Sequence, residues 1–156
     1  MIFPTIEKQA GNKFYLTGEG QTEKGVFRGQ PAIYKKHWVN TDGNNTKVRC
    51  PGKGCLNCSP GDRGSFEFSI NFIHKNSQTG EFQASIYEGN IFDYEKLKAL
   101  SESSEVLLED LIVLVSKLKT KNPKNGQPML TYHFAIDTPL SDNNKILINA
   151  VPLLEV

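Results

Sequence analysis

Ser65 to Lys75 alternates strictly, with Phe66, Phe68, Ile70 and Phe72 on one side and Ser65, Glu67, Ser69 and Asn71 on the other. A period of two marks a half-buried strand. Asn76 to Gly80 reads as a turn, and Phe82, Ala84 and Ile86 carry the alternation into a second strand. Leu111 to Lys121 opens as an apolar run suited to a doubly buried strand, then alternates with lysines at 117, 119 and 121. Asn122 to Pro128 is built of breakers, and Met129 to Asp137 is the returning strand. Lys145 to Val151 reads as one more strand. Upstream, Ile33 to Asn40 and Thr46 to Cys50 flank Asp42-Gly43, and Asp-Gly between two strand-like runs is a hairpin signal. One helix is expected, Tyr94 to Ser103, capped by Asp93 and carrying Leu97 and Leu100 three apart. Residues 1–24, with scattered Gly11, Gly18 and Gly20, predict an irregular arm.

Strands, then a single helix, then a strand hairpin is the order of a small Greek-key barrel of the OB type. The expected fold is therefore mainly β and OB-like, one domain over 1–156, with one short helix. A loop-and-hairpin insertion is expected at about residues 33–64. Phe66, Phe68, Phe72, Phe82 and Phe134 fit the apolar alternation and are expected in the core.

Composition changes the picture little until it is read locally. The 156 residues are 38% apolar with a formal charge of +1, which suits one ordinary globular domain. No apolar run approaches the length of a bilayer span, and no basic segment leads into an apolar one at the N-terminus. A cytoplasmic protein with no membrane partner is expected. Residues 24–75, however, hold nine basic and three acidic side chains, net +6, whereas residues 76–116 hold two and eight, net −6. A near-neutral total therefore leaves room for a polyanion partner, because binding follows the local potential.

All three cysteines fall within nine residues, as Cys50-x4-Cys55-x2-Cys58, in the Gly- and Pro-rich stretch 51–64. An odd, clustered set is no disulfide framework, and it points to a reducing compartment. Three soft ligands in a tight loop suit zinc, which takes a fourth ligand in a closed structural site. His37 is the first candidate, with His74 and His133 as rivals. If the turn centres on Gly43-Asn44, His37 stands opposite Cys50, at about 4.5–5.5 Å between Cβ atoms. If it centres on Asp42-Gly43, His37 faces Val48 and reaches Cys50 diagonally. A deaminase would need Glu two residues after its histidine, and Val39 stands there. No paired nucleophile and base stands out, so no enzyme is expected and the ion is read as structural.

Tyr34, Lys36 and Trp38 share one face of the strand that carries His37. Alternating rings and cations are what a single-strand binder needs, since rings stack on bases and cations track phosphates. The bland reading makes Tyr34 and Trp38 core residues. Lys117, Lys119 and Lys121 lie on one face of their strand and, with pairs summing to about 250, face His133, Thr131 and Met129. That row suits phosphates, and equally suits an edge strand guarded by lysines. Lys35, Lys47 and Arg49 join the same basic patch, and Tyr87 is a further stacking candidate.

The stretches Tyr34-Lys35-Lys36-His37-Trp38-Val39-Asn40 and Arg49-Cys50-Pro51-Gly52-Lys53-Gly54-Cys55-Leu56-Asn57-Cys58 resemble the zinc-bearing core of phage single-stranded DNA-binding proteins, the family that includes the helix-destabilising proteins of T-even phages. That family joins an OB fold to a zinc subdomain with one His and three Cys ligands, matched here by His37, Cys50, Cys55 and Cys58. The resemblance implies sequence-tolerant binding of single-stranded DNA in replication, recombination or repair inside an infected bacterial cell. It also implies replication partners such as a polymerase, helicase or primase. This chain is shorter than the T-even pattern and its last residues, Val151 to Val156, form no acidic tail. The rival expectation is a zinc-stabilised protein-interaction module without nucleic-acid binding.

Overall fold

The computed structural model describes residues 13–16, 19–50, 65–121 and 124–156; within strands, the side chains of 38–41, 45–48 and 65 lie outside that description. The described residues form six strands: β1 (Thr22–Thr41), β2 (Asn44–Arg49), β3 (Ser65–Lys75), β4 (Phe82–Asn90), β5 (Leu111–Lys121) and β6 (Pro128–Pro139). Helix α1 (Ile91–Ser104) and a 3-10 turn (Leu108–Asp110) join β4 to β5, and α2 (Asp142–Asn149) follows β6. Every ladder is antiparallel, and the strands run β4-β3-β1-β5-β6, with β2 paired to β1 alone.

β1 organises the sheet. Its first residues, Thr22–Gly25, pair with β5, and from Gly25 onward it pairs with β3. Between Arg28 and Ala32 the register slips, and Gly29 there takes a φ of 81°. A bulge bends a strand and sharpens its twist, which lets one strand serve two neighbours. This first half of β1 was not expected: Gly25, Gly29 and Pro31 break the alternation, and the sequence reads as a strand only from Ile33.

The sheet is mainly β as expected, but open. Among the described residues no ladder joins β4 to β6. Residues 13–16 lie between them instead: Phe14 N donates to Ile86 O at 2.8 Å, and Leu16 N to the Tyr132 hydroxyl at 3.3 Å. Phe14 and Leu16 enter the core on the inner face, with Phe27, Phe68, Phe72, Tyr87, Leu97, Val113 and Val115.

The outer face is covered as well. Val26 and Ile73 pack there against Leu140 and Ile148, with Phe82, Ala84 and Val151 alongside. The expected strand Lys145–Val151 is in fact helix α2. Ser141 caps it by accepting from Asn144 N at 3.3 Å, and Ile148 alone is buried. The chain then continues across the sheet, where the Asn71 carboxamide holds the Leu154 main chain through both N and O, at 2.7 and 2.9 Å. That cover explains why Ser69 and Asn71, on the polar side of β3, are buried.

Three local expectations shift. Helix α1 starts at Ile91 with Asn90 as its cap, and Asp93 is buried inside it. Phe66, expected in the core, is 52% exposed, because β3 runs past the end of the inner cluster. Phe82 packs on the outer face instead of the inner one. Among the described residues no helix is long and apolar enough to cross a membrane.

Candidate nucleic-acid interface

Asp42 and Gly43 both take positive φ, 51° and 82°, the pairing that a two-residue type I′ hairpin turn requires. The turn fixes the register: His37 faces Val48, Trp38 faces Lys47 and Lys36 faces Arg49. Of the two geometries weighed from sequence, this is the one centred on Asp42-Gly43. His37 is buried, and Cys50, two residues beyond Val48 on the same face, is its diagonal neighbour. The Cys50 amide donates to Lys35 O at 2.7 Å, which holds the hairpin closed at its base.

One nitrogen and one sulfur donor on one face of a hairpin, at diagonal spacing, fit two corners of a tetrahedral zinc site. Cys55 and Cys58 lie outside the described residues, as do the side chains of Trp38 and Lys47. Among the described residues no three His, Cys, Asp or Glu side chains converge. The rival ligands sit elsewhere. His74 Nε2 is 2.8 Å from Ser85 Oγ on the inner face of the sheet, and His133 stands opposite Ser116.

On the opposite face of β1, the Tyr34 hydroxyl meets Ser69 Oγ at 2.6 Å, and the Arg49 guanidinium carbon lies 3.7 Å from the centre of the Tyr34 ring. Lys36 is not a free cation. Its ammonium lies 3.5 Å from Glu67 and 3.6 Å from Glu88, and Lys13 shares Glu88 at 3.2 Å. The Glu88 carboxylate also raises the Lys13 pKa. Lys35 stands opposite Phe66, on the other face from Tyr34. Sequence reasoning missed both carboxylates and the stacking of Arg49. The register that sets Lys36 opposite Arg49, and so puts Arg49 diagonal to Tyr34, would have found the second.

The β5–β6 hairpin carries the lysine row one residue off the expected pairing: Lys117 faces Tyr132, Lys119 faces Leu130 and Lys121 faces Pro128. Lys117 Nζ sits 4.5 Å from the Tyr132 ring centre. Lys119 and Lys121 are exposed, no carboxylate stands opposite the row, and among the described residues none of the three makes an ion pair.

Tyr87 does not belong to this surface. It stands opposite Ile70 on the inner face, fully buried, with its hydroxyl donating to Asp93 Oδ2 at 3.3 Å. Gln83, Ser85 and Tyr87 look like the polar side of β4, but the ladder turns that side inward. Burial pushes the Tyr87 phenol far above its usual range and raises the Asp93 carboxyl.

A Ser85–His74–Glu23 chain also exists, with His74 Nδ1 3.6 Å from Glu23 Oε1. Ser85 is buried, and Phe14 and Phe72 pack against the His74 ring at 5.6 and 5.4 Å. A nucleophile enclosed in this way has no substrate to attack.

Comparison with protein-family models, with curated proteins and with solved structures returns no match.

Proposed function

We propose that this chain is an OB-like, non-sequence-specific single-stranded DNA-binding protein, whose zinc site of His37, Cys50, Cys55 and Cys58 stiffens the β1–β2 hairpin. The strand order supports the OB reading. One bent strand is shared by a β3–β4 hairpin and by β5, a helix precedes the last hairpin, and the insertion follows the first strand. The observation that carries the binding reading is the row Lys117, Lys119, Lys121, which continues the inner face of β5 beyond the core and, among the described residues, makes no ion pair. Cations held in a row without carboxylates attract a phosphate backbone. Arg49 and Tyr34 on the other hairpin supply a planar cation and a ring, groups that meet bases. On this reading the ion has no catalytic role, and zinc would contribute folding energy outright.

Metal analysis of the purified chain, coupled to a titration of tryptophan fluorescence with oligo-dT, tests this. Trp38 is the sole tryptophan, so quenching reports on that residue alone. One zinc per chain, quenching by oligo-dT and a steep loss of affinity with salt are expected. Equal affinity for duplex and single strand would overturn the reading. The rival, a zinc-stabilised protein-interaction module, draws on the half-exposed Ile33 and Phe66, and it predicts no salt-sensitive binding to any nucleic acid.

A further inference from the structure

Taking the single-strand reading as its basis, we infer that Arg49, held against Tyr34, is a platform on which an unpaired base stacks, and is not a phosphate contact. At 3.7 Å from the ring centre the guanidinium can only lie over the ring face, since the ring's own edge atoms would keep an in-plane approach farther out. The guanidinium carbon therefore sits over the ring face, the position from which a guanidinium prefers to stack on an aromatic ring.

The ring beneath is fixed. Its hydroxyl is bound to Ser69, which is itself buried in the sheet. Tyr34 thus has one face occupied by Arg49, and Arg49 has one face occupied by Tyr34. Arg49 is exposed, so its second face is turned to solvent. Among the described residues its further hydrogen bond is a long 3.5 Å approach to Val156 O, made by a nitrogen at the edge of the fork and not by its face.

A weakly hydrated, flat cation that is already ordered costs little to desolvate and nothing to immobilise when a second flat group lands on it. Bases splayed from a single strand stack on such planes. Lys36, the neighbouring cation, is occupied by Glu67 and Glu88 and is not free to meet a phosphate. Backbone tracking falls to the β5 lysines, and base contact to Arg49.

Arg49→Lys keeps the charge and removes the plane. It should weaken binding to oligo-dT by about tenfold, the loss of one modest stacking contact, and leave binding to an abasic strand of equal length unchanged. Lys119→Gln, the phosphate control, should weaken both strands alike. Because Arg49 is exposed, melting curves of wild type and Arg49→Lys should coincide. An equal loss on both strands, or no loss on either, overturns the platform and leaves the single-strand reading standing. If wild-type protein binds neither strand, that reading falls first and the platform with it.

Discussion

The two halves of β5 share a face and little else. Leu111, Val113 and Val115 are buried against the aromatic cluster, whereas at the same period and on the same side Lys117 is half-exposed over the Tyr132 ring and Lys119 and Lys121 run out into solvent. Alternation therefore reports which face a residue takes, and not whether that face is covered. Where the core ends and the alternation does not, the side chains are released from packing, and their chemistry reflects what the surface meets. The same happens on β3, where Phe68 is fully buried and Phe66, two residues earlier, is half exposed.

The sharpest way to break this contrast is to empty the inner face. Phe72→Ala should cost about 3–5 kcal/mol of unfolding free energy in a urea titration; a loss near zero would mean that this face is not the core. Gly25→Ala comes next. A Cβ there would stand 2.5 Å from the Ile73 carbonyl oxygen and 2.6 Å from the Phe72 ring, and about 1–3 kcal/mol should be lost to the forced shift. The effect of pH should be smaller. Burial holds the His74 pKa below its ordinary 6.5, so the unfolded chain takes up the proton first. Stability is then full above pH 6.5 and falls as pH drops below it. Glu23, raised by burial, works in the opposite direction at lower pH, in the carboxylate range. His74→Gln should flatten the melting temperature between pH 7.5 and the carboxylate range, and an unchanged slope would remove His74 as the cause. The smallest effect belongs to the solvent half of β5. Lys119→Gln with Lys121→Gln should change stability by less than about 0.5 kcal/mol, while the dependence of log affinity for oligo-dT on log salt should flatten by about 0.7 per lysine.

Most of the strand pattern could be read from residue order, and the reasons for the rest are local. β3 occupies Ser65–Lys75 as its alternation says, and the hairpin turn falls at Asp42-Gly43, one of the two centres that the sequence allowed. Helix α2 escaped because Ile146-Leu147-Ile148 carries strand propensity; the overlooked signal was Ser141 ahead of Asp142, a cap followed by an acid. The inward side of β4 escaped because a serine and a tyrosine there look like a solvent face until Ile70 and Phe72 stand opposite them. Openness of the sheet was beyond sequence reasoning, since it depends on residues 13–16 taking the place of a ladder. Within the candidate site, the hairpin that pairs His37 with Val48 was foreseen as one of two registers, and the lysine row was foreseen with its pairing displaced by one residue. The loss of Lys36 to two carboxylates was not foreseen, because Glu67 and Glu88 are 31 and 52 positions away along the chain and meet it only across the ladders.

The grip of Asn71 on Leu154 has an evolutionary corollary. The carboxamide touches only the amide hydrogen and carbonyl of residue 154, so the fastening is indifferent to which side chain is attached there. As far as this fastening goes, substitution at that position should be free across the amino acids with one exception. Proline lacks the hydrogen that the amide must donate, and it alone would unhook the chain from the back of the sheet.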